Sequence, residues 1–289
     1  MTDRVLICTD LDRTLLPNGA EPESAGARER FHAVVDRPEV ELAFVSGRHR
    51  ALVEAAIAEY QLPRPNFVIG DVGTSIYNVD DSGWSAWPAW VAVLEQSWGA
   101  HDGQALVPLF ADIKTLTPQE SEKQGRFKSS YYAPVSVDVS QLKQQMQQRL
   151  AEAGLPSRII WSIDETTDTG LVDVLPENAS KLHAVRFLIQ NTGHTLGNTL
   201  FAGDSGNDLE VLCSEINSVL VANATDSVRA QARQLAAQAG AADALYTARG
   251  GWRGMNGNYS AGMLEGIAHY YPHTRAWMGF GDIPQEASR

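Results

Sequence analysis

One feature constrains this chain more than any other: an uninterrupted apolar run, Arg4-Val5-Leu6-Ile7-Cys8-Thr9, that stops at Asp10-Leu11-Asp12-Arg13-Thr14. An apolar run without alternation suits a strand buried on both faces, the situation of parallel strands covered by helices. Val40 to Val45 and Asn66 to Ile69 have the same character. Between them, Arg50 to Tyr60 carries Leu52, Val53, Ala56, Ile57 and Tyr60 as a helical stripe. The first third therefore reads β-α-β-α-β, an order that demands a parallel sheet.

The same grammar returns after Leu171. An apolar stretch (Leu171 to Leu175) precedes a helix (Ser180 to Gln190), then strand, helix, strand at Thr199 to Ala202, Leu209 to Glu215 and Ser218 to Ala222. A helix from Ser227 to Ala239, a strand from Ala244 to Thr247 and a helix from Ser260 to His269 complete it. The middle differs. It holds a tryptophan-rich helix after Pro88, strand-like runs at Phe127 to Tyr132 and Arg158 to Ile163, and a helix at Gln141 to Ala153. Ser140 reads as the N-cap of that helix and Gly154 as its C-cap. The expected fold class is α/β: a doubly wound, mostly parallel, Rossmann-like core sheet with an inserted α+β cap. The expected division is residues 1–80 and 171–272 for the core, 81–170 for the cap and 273–289 for a polar tail without helical pattern.

Charge narrows the partners. Lys plus Arg number 23 against 35 Asp plus Glu, a formal net charge of −12. Nucleic-acid backbones and anionic membranes need a basic face, so neither is expected. A phosphorylated substrate needs only local positive charge, which a divalent metal supplies where carboxylates cluster. Cys8 and Cys213 are the only cysteines, too few for a disulfide framework or a metal knuckle, and Cys8 reads as core. Met1-Thr2-Asp3-Arg4 leads directly into a strand, and no run reaches transmembrane length, so a cytoplasmic location is expected.

Three motifs sit where strands end. Asp10 and Asp12, two residues apart, can divide the work: one attacks and touches metal, the other trades a proton with the leaving group. The plainer reading is a solvated turn with a capping Asp. Ser46-Gly47-Arg48 follows the second strand and opens a helix, either a phosphate-binding corner or a simple N-cap. Gly203-Asp204-Ser205-Gly206-Asn207-Asp208 puts Asp204 at a strand end and Asp208 a turn later, so that both can face one cation, magnesium by preference. An ordinary Gly-Asp turn is the alternative. Lys181, opening a helix, is either a surface lysine or the cation that offsets these carboxylates. Trp84, Trp87, Trp90 and Trp98 could stack on sugars, but their helical spacing suits packing of the cap. No nucleotide-binding glycine motif is present.

Taken in order, Asp-x-Asp-x-Thr, Ser-Gly-Arg, Lys and Gly-Asp-x-x-Asn-Asp resemble the haloacid dehalogenase superfamily with a type IIB cap. Gly70 to Tyr77, Phe127 to Tyr131, Val172 to Pro176 and Ser260 to Ile267 resemble sucrose-phosphate phosphatases. The resemblance implies a magnesium-dependent phosphatase in which Asp10 is the nucleophile and Asp12 the general acid and base. It implies that Asp10, Asp204 and the Asp12 carbonyl hold Mg2+, with Asp208 as ligand or support. Ser46, Gly47, Arg48, Lys181 and Asn207 would then hold the phosphoryl group, and Lys128, Ser130, Asp173 and Tyr77 the sugar. Arg13 stands where Gly or Asn is common, and Asp164 to Gly170 is longer than the usual turn. The implied substrate is a phosphorylated sugar, sucrose 6-phosphate first, with mannosylfructose phosphate or glucosylglycerol phosphate as alternatives. A phosphomannomutase-type phosphotransferase and a module binding a sucrose-phosphate synthase are the rival classes.

Overall fold

The computed structural model describes residues 4–164 and 167–280. Residues 1–3, two of the Asp164 to Gly170 stretch and 281–289 of the expected tail lie outside them. In chain order the elements are β1 (Val5–Thr9), α1 (Ala27–Val35), β2 (Val40–Val45), α2 (Arg50–Tyr60), β3 (Phe67–Gly70), β4 (Ser75–Asp80), β5 (Gly83–Ala86) and α3 (Pro88–Trp98). Then come β6 (Thr117–Pro118), β7 (Ser129–Pro134), α4 (Val139–Glu152), β8 (Ser157–Asp164), β9 (Thr169–Pro176) and α5 (Lys181–Thr192). β10 (Thr199–Gly203), α6 (Leu209–Leu212), β11 (Asn217–Leu220), α7 (Asp226–Gln238), β12 (Leu245–Thr247) and α8 (Ser260–Tyr270) finish the chain.

Two sheets organise these elements. The larger has the order β12-β11-β10-β1-β2-β3-β4-β5, parallel from β12 to β3 and closed by the antiparallel β4–β5 hairpin. β1 lies near its middle with every residue buried, as its unbroken apolar run requires. The smaller sheet, β6-β7-β9-β8, is antiparallel throughout. The α/β class with a mostly parallel core sheet and a separate α+β layer is therefore as the sequence predicts. Among the described residues no helix is long and apolar enough to cross a membrane.

Several elements depart from the sequence reading. Leu171 to Leu175 belongs to β9 of the small sheet and pairs antiparallel with β7 and β8, although its mostly apolar residues suggest a core strand. The chain thus re-enters the core near Pro176 rather than at residue 171. At the other crossing, β5 extends the large sheet beyond residue 80. The cap of α4 is Asp138, whose side chain accepts from Gln141 N at 3.0 Å, two residues before Ser140. Part of the expected tail is ordered: Pro272–Met278 forms a 3-10 helix with Thr274 and Met278 buried, and Arg30 donates to Met278 O. Cys8 is buried core, and Trp90 and Trp98 pack inside while Trp87 and Trp90 meet Phe187.

Candidate active site

The site forms because the carboxyl ends of neighbouring parallel strands open onto one crevice. Asp10 continues β1, its N–H donating to Ala202 O at 2.9 Å. Asp204 follows β10, the strand paired with β1, and Lys181 opens α5 behind a Ser180 cap. Asp208 folds back on the same strand end: a Cβ on Gly203 would lie 2.6 Å from its Cγ, so only glycine admits it. These carboxylates surround one ammonium. Lys181 Nζ, wholly buried, lies 3.1 Å from Asp10 Oδ1, 2.7 Å from Asp208 Oδ1 and 2.9 Å from Asn207 Oδ1.

Asp208 is saturated. Its other oxygen accepts from Asp204 N, Ser205 N and Ser205 Oγ. Asp204 is not. Its Oδ1 accepts from Thr14 Oγ1 at 3.0 Å, whereas its buried Oδ2 accepts no hydrogen bond, with Arg13 Nε 3.5 Å away. Ligand atoms of Asp10, Asp204 and Asp208 lie within 4.8 Å of one another. An oxygen-only donor set with an orphaned buried carboxylate oxygen fits a hard cation such as magnesium.

The electrostatics are those of a crowded pocket. Burial pushes the Asp10 carboxyl well above its ordinary range, against the pull of Lys181 and helped by Asp208, Asp204 and Asp12. Burial and then the Asp208 charge push Asp204 up to about 7, against Arg13, Thr14 and Lys181. Burial opposes the charge on Lys181, yet Asp10 and Asp208 raise its pKa overall. Asp12 goes the other way. Burial would raise it, but its bonds to Arg48, 2.8 Å from Nε and 2.6 Å from Nη2, and to Asn18 at 2.7 Å hold it below the usual range.

A cavity of about 1950 Å³ lies in front of these groups, lined by the loops beyond the large sheet and by the small sheet. Asp10, Asp12, Gly47, Arg48, Asp204 and Asn207 reach it from the core, Asp173 from the small sheet and Lys128 from the turn before β7. Ser46 is buried behind this wall, its Oγ accepting from Arg48 N at 3.1 Å. Four of the expected ligands have protein partners. Arg48 pairs with Asp12 rather than standing free for an anion. Lys128 Nζ pairs with Asp71 Oδ1 at 3.0 Å, and Ser130 Oγ donates to Asp173 Oδ1 at 2.5 Å, so Ser130 is turned to its neighbour across β7–β9. Tyr77 lies on β4 against Trp84 and Arg50, outside the cavity lining. Thr14, Asn18 and Asp71 are groups of the site for which the sequence reading has no role. Thr14 stood inside the Asp-x-Asp-x-Thr motif and Asp71 inside the Gly70 to Tyr77 stretch; Asn18 carried no pattern of its own.

The family profile described as sucrose-6F-phosphate phosphohydrolase matches residues 3–271. The chain belongs to that family. It is 51% identical over 282 residues to a protein of Nitrosococcus oceani named only as a HAD-like hydrolase, covering 97% of this chain and 76% of that one. With sucrose-phosphatase 1 of Nicotiana tabacum it shares 31% over 238 residues, 78% of this chain and 52% of that protein. The chain thus spans about half the length of the tobacco relative. A mannosylfructose-phosphate phosphatase of Agrobacterium fabrum is 29% identical over 79% of this chain and 87% of its own. Among solved structures, the Synechocystis sucrose-phosphatase with sucrose and phosphate superposes with a TM-score of 0.73 at 23% identity, over 92% of this chain and 98% of that one. A haloacid dehalogenase-like hydrolase of Bacillus subtilis does so at 0.60 and 16%, over 92% and 91%. The family's fold is that of haloacid dehalogenase-like hydrolases with a cap.

Proposed function

We propose that this chain is a magnesium-dependent sugar-phosphate phosphatase, with sucrose 6-phosphate as first substrate. The observation that carries the reading is the placement of Asp10, against Lys181 and beside Asp204 and Asp208, at the wall of a cavity that the small sheet also lines. Asp10 attacks phosphorus, the bond from phosphorus to the sugar oxygen breaks, and Asp12 gives that oxygen a proton. An aspartyl-phosphate results. Asp12 then takes a proton from water, which attacks phosphorus, releases phosphate and restores the Asp10 carboxylate. Asp10 and Asp204, with the Asp12 carbonyl, would hold the magnesium, which when bound supplies charge compensation for the phosphoryl oxygens. Asp208 serves by orienting Lys181 and the Asp204 loop.

Lys181, Asn207 and the Ser46-Gly47-Arg48 loop hold the phosphoryl group. Arg48 does so by exchanging Asp12 for the incoming anion, which also frees Asp12 for proton transfer. Asp173 is the sugar ligand we retain on the small sheet, with Ser130 orienting it. The reading divides the chain into a core and a cap, and the cap begins after β5 and ends with β9. It also places the enzyme in the cytoplasm, beside a sucrose-phosphate synthase whose phosphorylated product it would consume.

A second reading is favoured by length: the mannosylfructose-phosphate phosphatase is matched over 87% of its chain, the tobacco enzyme over 52%. Phosphate release from sucrose 6-phosphate, mannosylfructose phosphate and glucosylglycerol phosphate, with magnesium and with excess chelator, tests both. A kcat/KM highest on sucrose 6-phosphate and lost with chelator is expected. Release from none of them ends the phosphatase reading.

A further inference from the structure

Lys128 is an unusual residue to find on a cavity wall, because its charge is already met. Its side chain is 5% exposed and its ammonium sits 3.0 Å from Asp71. The turn just before β7 grips its backbone: Lys128 N donates to Gly125 O and Lys128 O accepts from Gly125 N. A Cβ on Gly103 would lie 1.9 Å from Lys128 O, so that segment closes on Lys128 from the other side.

Asp71 sits on a turn that is strained at Val72. Asp71 and Val72 have φ of 51° and 59°, consecutive left-handed conformations that aspartate tolerates and a β-branched valine rarely adopts. Such strain persists where surrounding contacts over-determine it, and it gathers at working sites. The contacts here are specific. Asp71 N donates to Arg48 O at 3.0 Å and Val72 N to Ser46 O at 3.1 Å, fastening the turn to the Ser46-Gly47-Arg48 loop. A Cβ on Gly73 would lie 2.4 Å from Ser180 C and O, so the turn also rests on the start of α5, one residue from Lys181. Ser75 Oγ donates to Asp71 Oδ2 at 3.3 Å. One turn therefore touches the Ser46-Gly47-Arg48 loop and the start of α5, and its carboxylate is held by Lys128, one residue before β7 of the small sheet.

We infer that Lys128 and Asp71 are positioning residues, an ion pair that couples closure of the small sheet over the core to the geometry of the Ser46-Gly47-Arg48 loop. The inference rests on the phosphatase reading and reassigns Lys128 away from the sugar. A sugar ligand would matter only to substrates that carry the sugar. A closure contact matters to any phosphate ester, because it sets the loop that receives the phosphoryl group.

The test is a double-mutant cycle with Lys128→Met and Asp71→Asn, read on sucrose 6-phosphate and on para-nitrophenyl phosphate. Each single variant should lower kcat/KM by the same factor on both esters, about tenfold to a hundredfold. The double variant should be no worse than either single one, and Lys128→Arg should keep most of the activity. A second readout does not depend on turnover. Dyes on Gln148→Cys of α4 and Glu59→Cys of α2, in a Cys213→Ser background, report the distance between small sheet and core. With magnesium and inorganic phosphate that distance should shorten in the parent protein and not in the Lys128→Met variant. Loss confined to the sugar phosphate, multiplying losses in the double variant, or the same shortening in both proteins each overturns the inference. A parent protein that hydrolyses no phosphate ester ends the phosphatase reading instead and leaves the distance measurement to decide this one.

Discussion

At the scale of single residues, the site is a balance among three buried carboxylates and one ammonium. Asp10→Asn keeps the shape of the side chain and removes the proposed nucleophile, so phosphate release should fall on the order of a thousandfold or more. The same change removes one of three clustered negative charges, and burial already disfavours that charge. Its melting temperature without magnesium at pH 8 should therefore match or exceed that of the parent, as calorimetry can show. An inactive variant that also melts lower would mean that Asp10 holds the fold rather than performs the reaction. Asp204 and Lys181 should separate. Asp204→Asn acts on the carboxylate whose Oδ2 lacks a hydrogen bond and should mainly raise the magnesium concentration for half activity. Lys181→Ala should mainly raise KM and weaken inhibition by inorganic phosphate. Magnesium rescuing the Lys181 variant but not the Asp204 variant would reverse the two assignments.

At the scale of elements, close approach decides more than propensity. α8 is buried from Ser260 to Ala268, and Gly266 lies inside it. Alanine is the better helix former by about 1 kcal/mol. A Cβ at Gly266 would nevertheless stand 2.1 Å from Val219 Cγ2 of β11, in the middle of the core. Overpacking of that kind costs about 1–3 kcal/mol, so after the propensity gain Gly266→Ala should lower stability against urea by a net of up to about 2 kcal/mol. An unchanged urea midpoint would show that α8 can move off β11 freely. Such contacts explain why helix and strand limits could be read from periodicity while the packing between them could not. β2 and α2 fall on the predicted residues because apolar spacing is a local signal. β9 was misread because a mostly apolar stretch, broken here by Asp173, can join either sheet, and only its partners β7 and β8 tell which.

At the scale of the whole molecule, the site should make stability depend on pH and on divalent cation together. Asp10 and Asp204 both titrate higher in the folded protein than a free carboxyl group does. The folded state therefore binds more protons than the unfolded state between the ordinary carboxylate range and about pH 7. Stability falls wherever the folded state binds more protons and pH rises, so this contribution is present in acid and lost as pH climbs through about 7. A cation held by the same carboxylates counters that loss. The gain in melting temperature on adding magnesium should be larger at pH 8 than at pH 5.5, read by scanning calorimetry at fixed ionic strength. Equal gains at both values would place the cation elsewhere.

The sequence alone determined which residues could do chemistry and on which kind of scaffold. A chain whose buried strands end in Asp10-Leu11-Asp12, Ser46-Gly47-Arg48 and Gly203 to Asp208 must bring those ends to one sheet edge, because parallel strands expose their carboxyl ends together. What each side chain holds was decided by tertiary structure. Arg48 faces Asp12, Lys128 faces Asp71, Ser130 faces Asp173, and Tyr77 turns to Trp84. Those partners are 36, 57, 43 and 7 residues apart in the chain, by subtraction of their numbers. A motif records that a charged or polar group is needed near a place. It does not record the direction of the side chain, which follows from the nearest opposite charge once burial has removed water as the alternative partner.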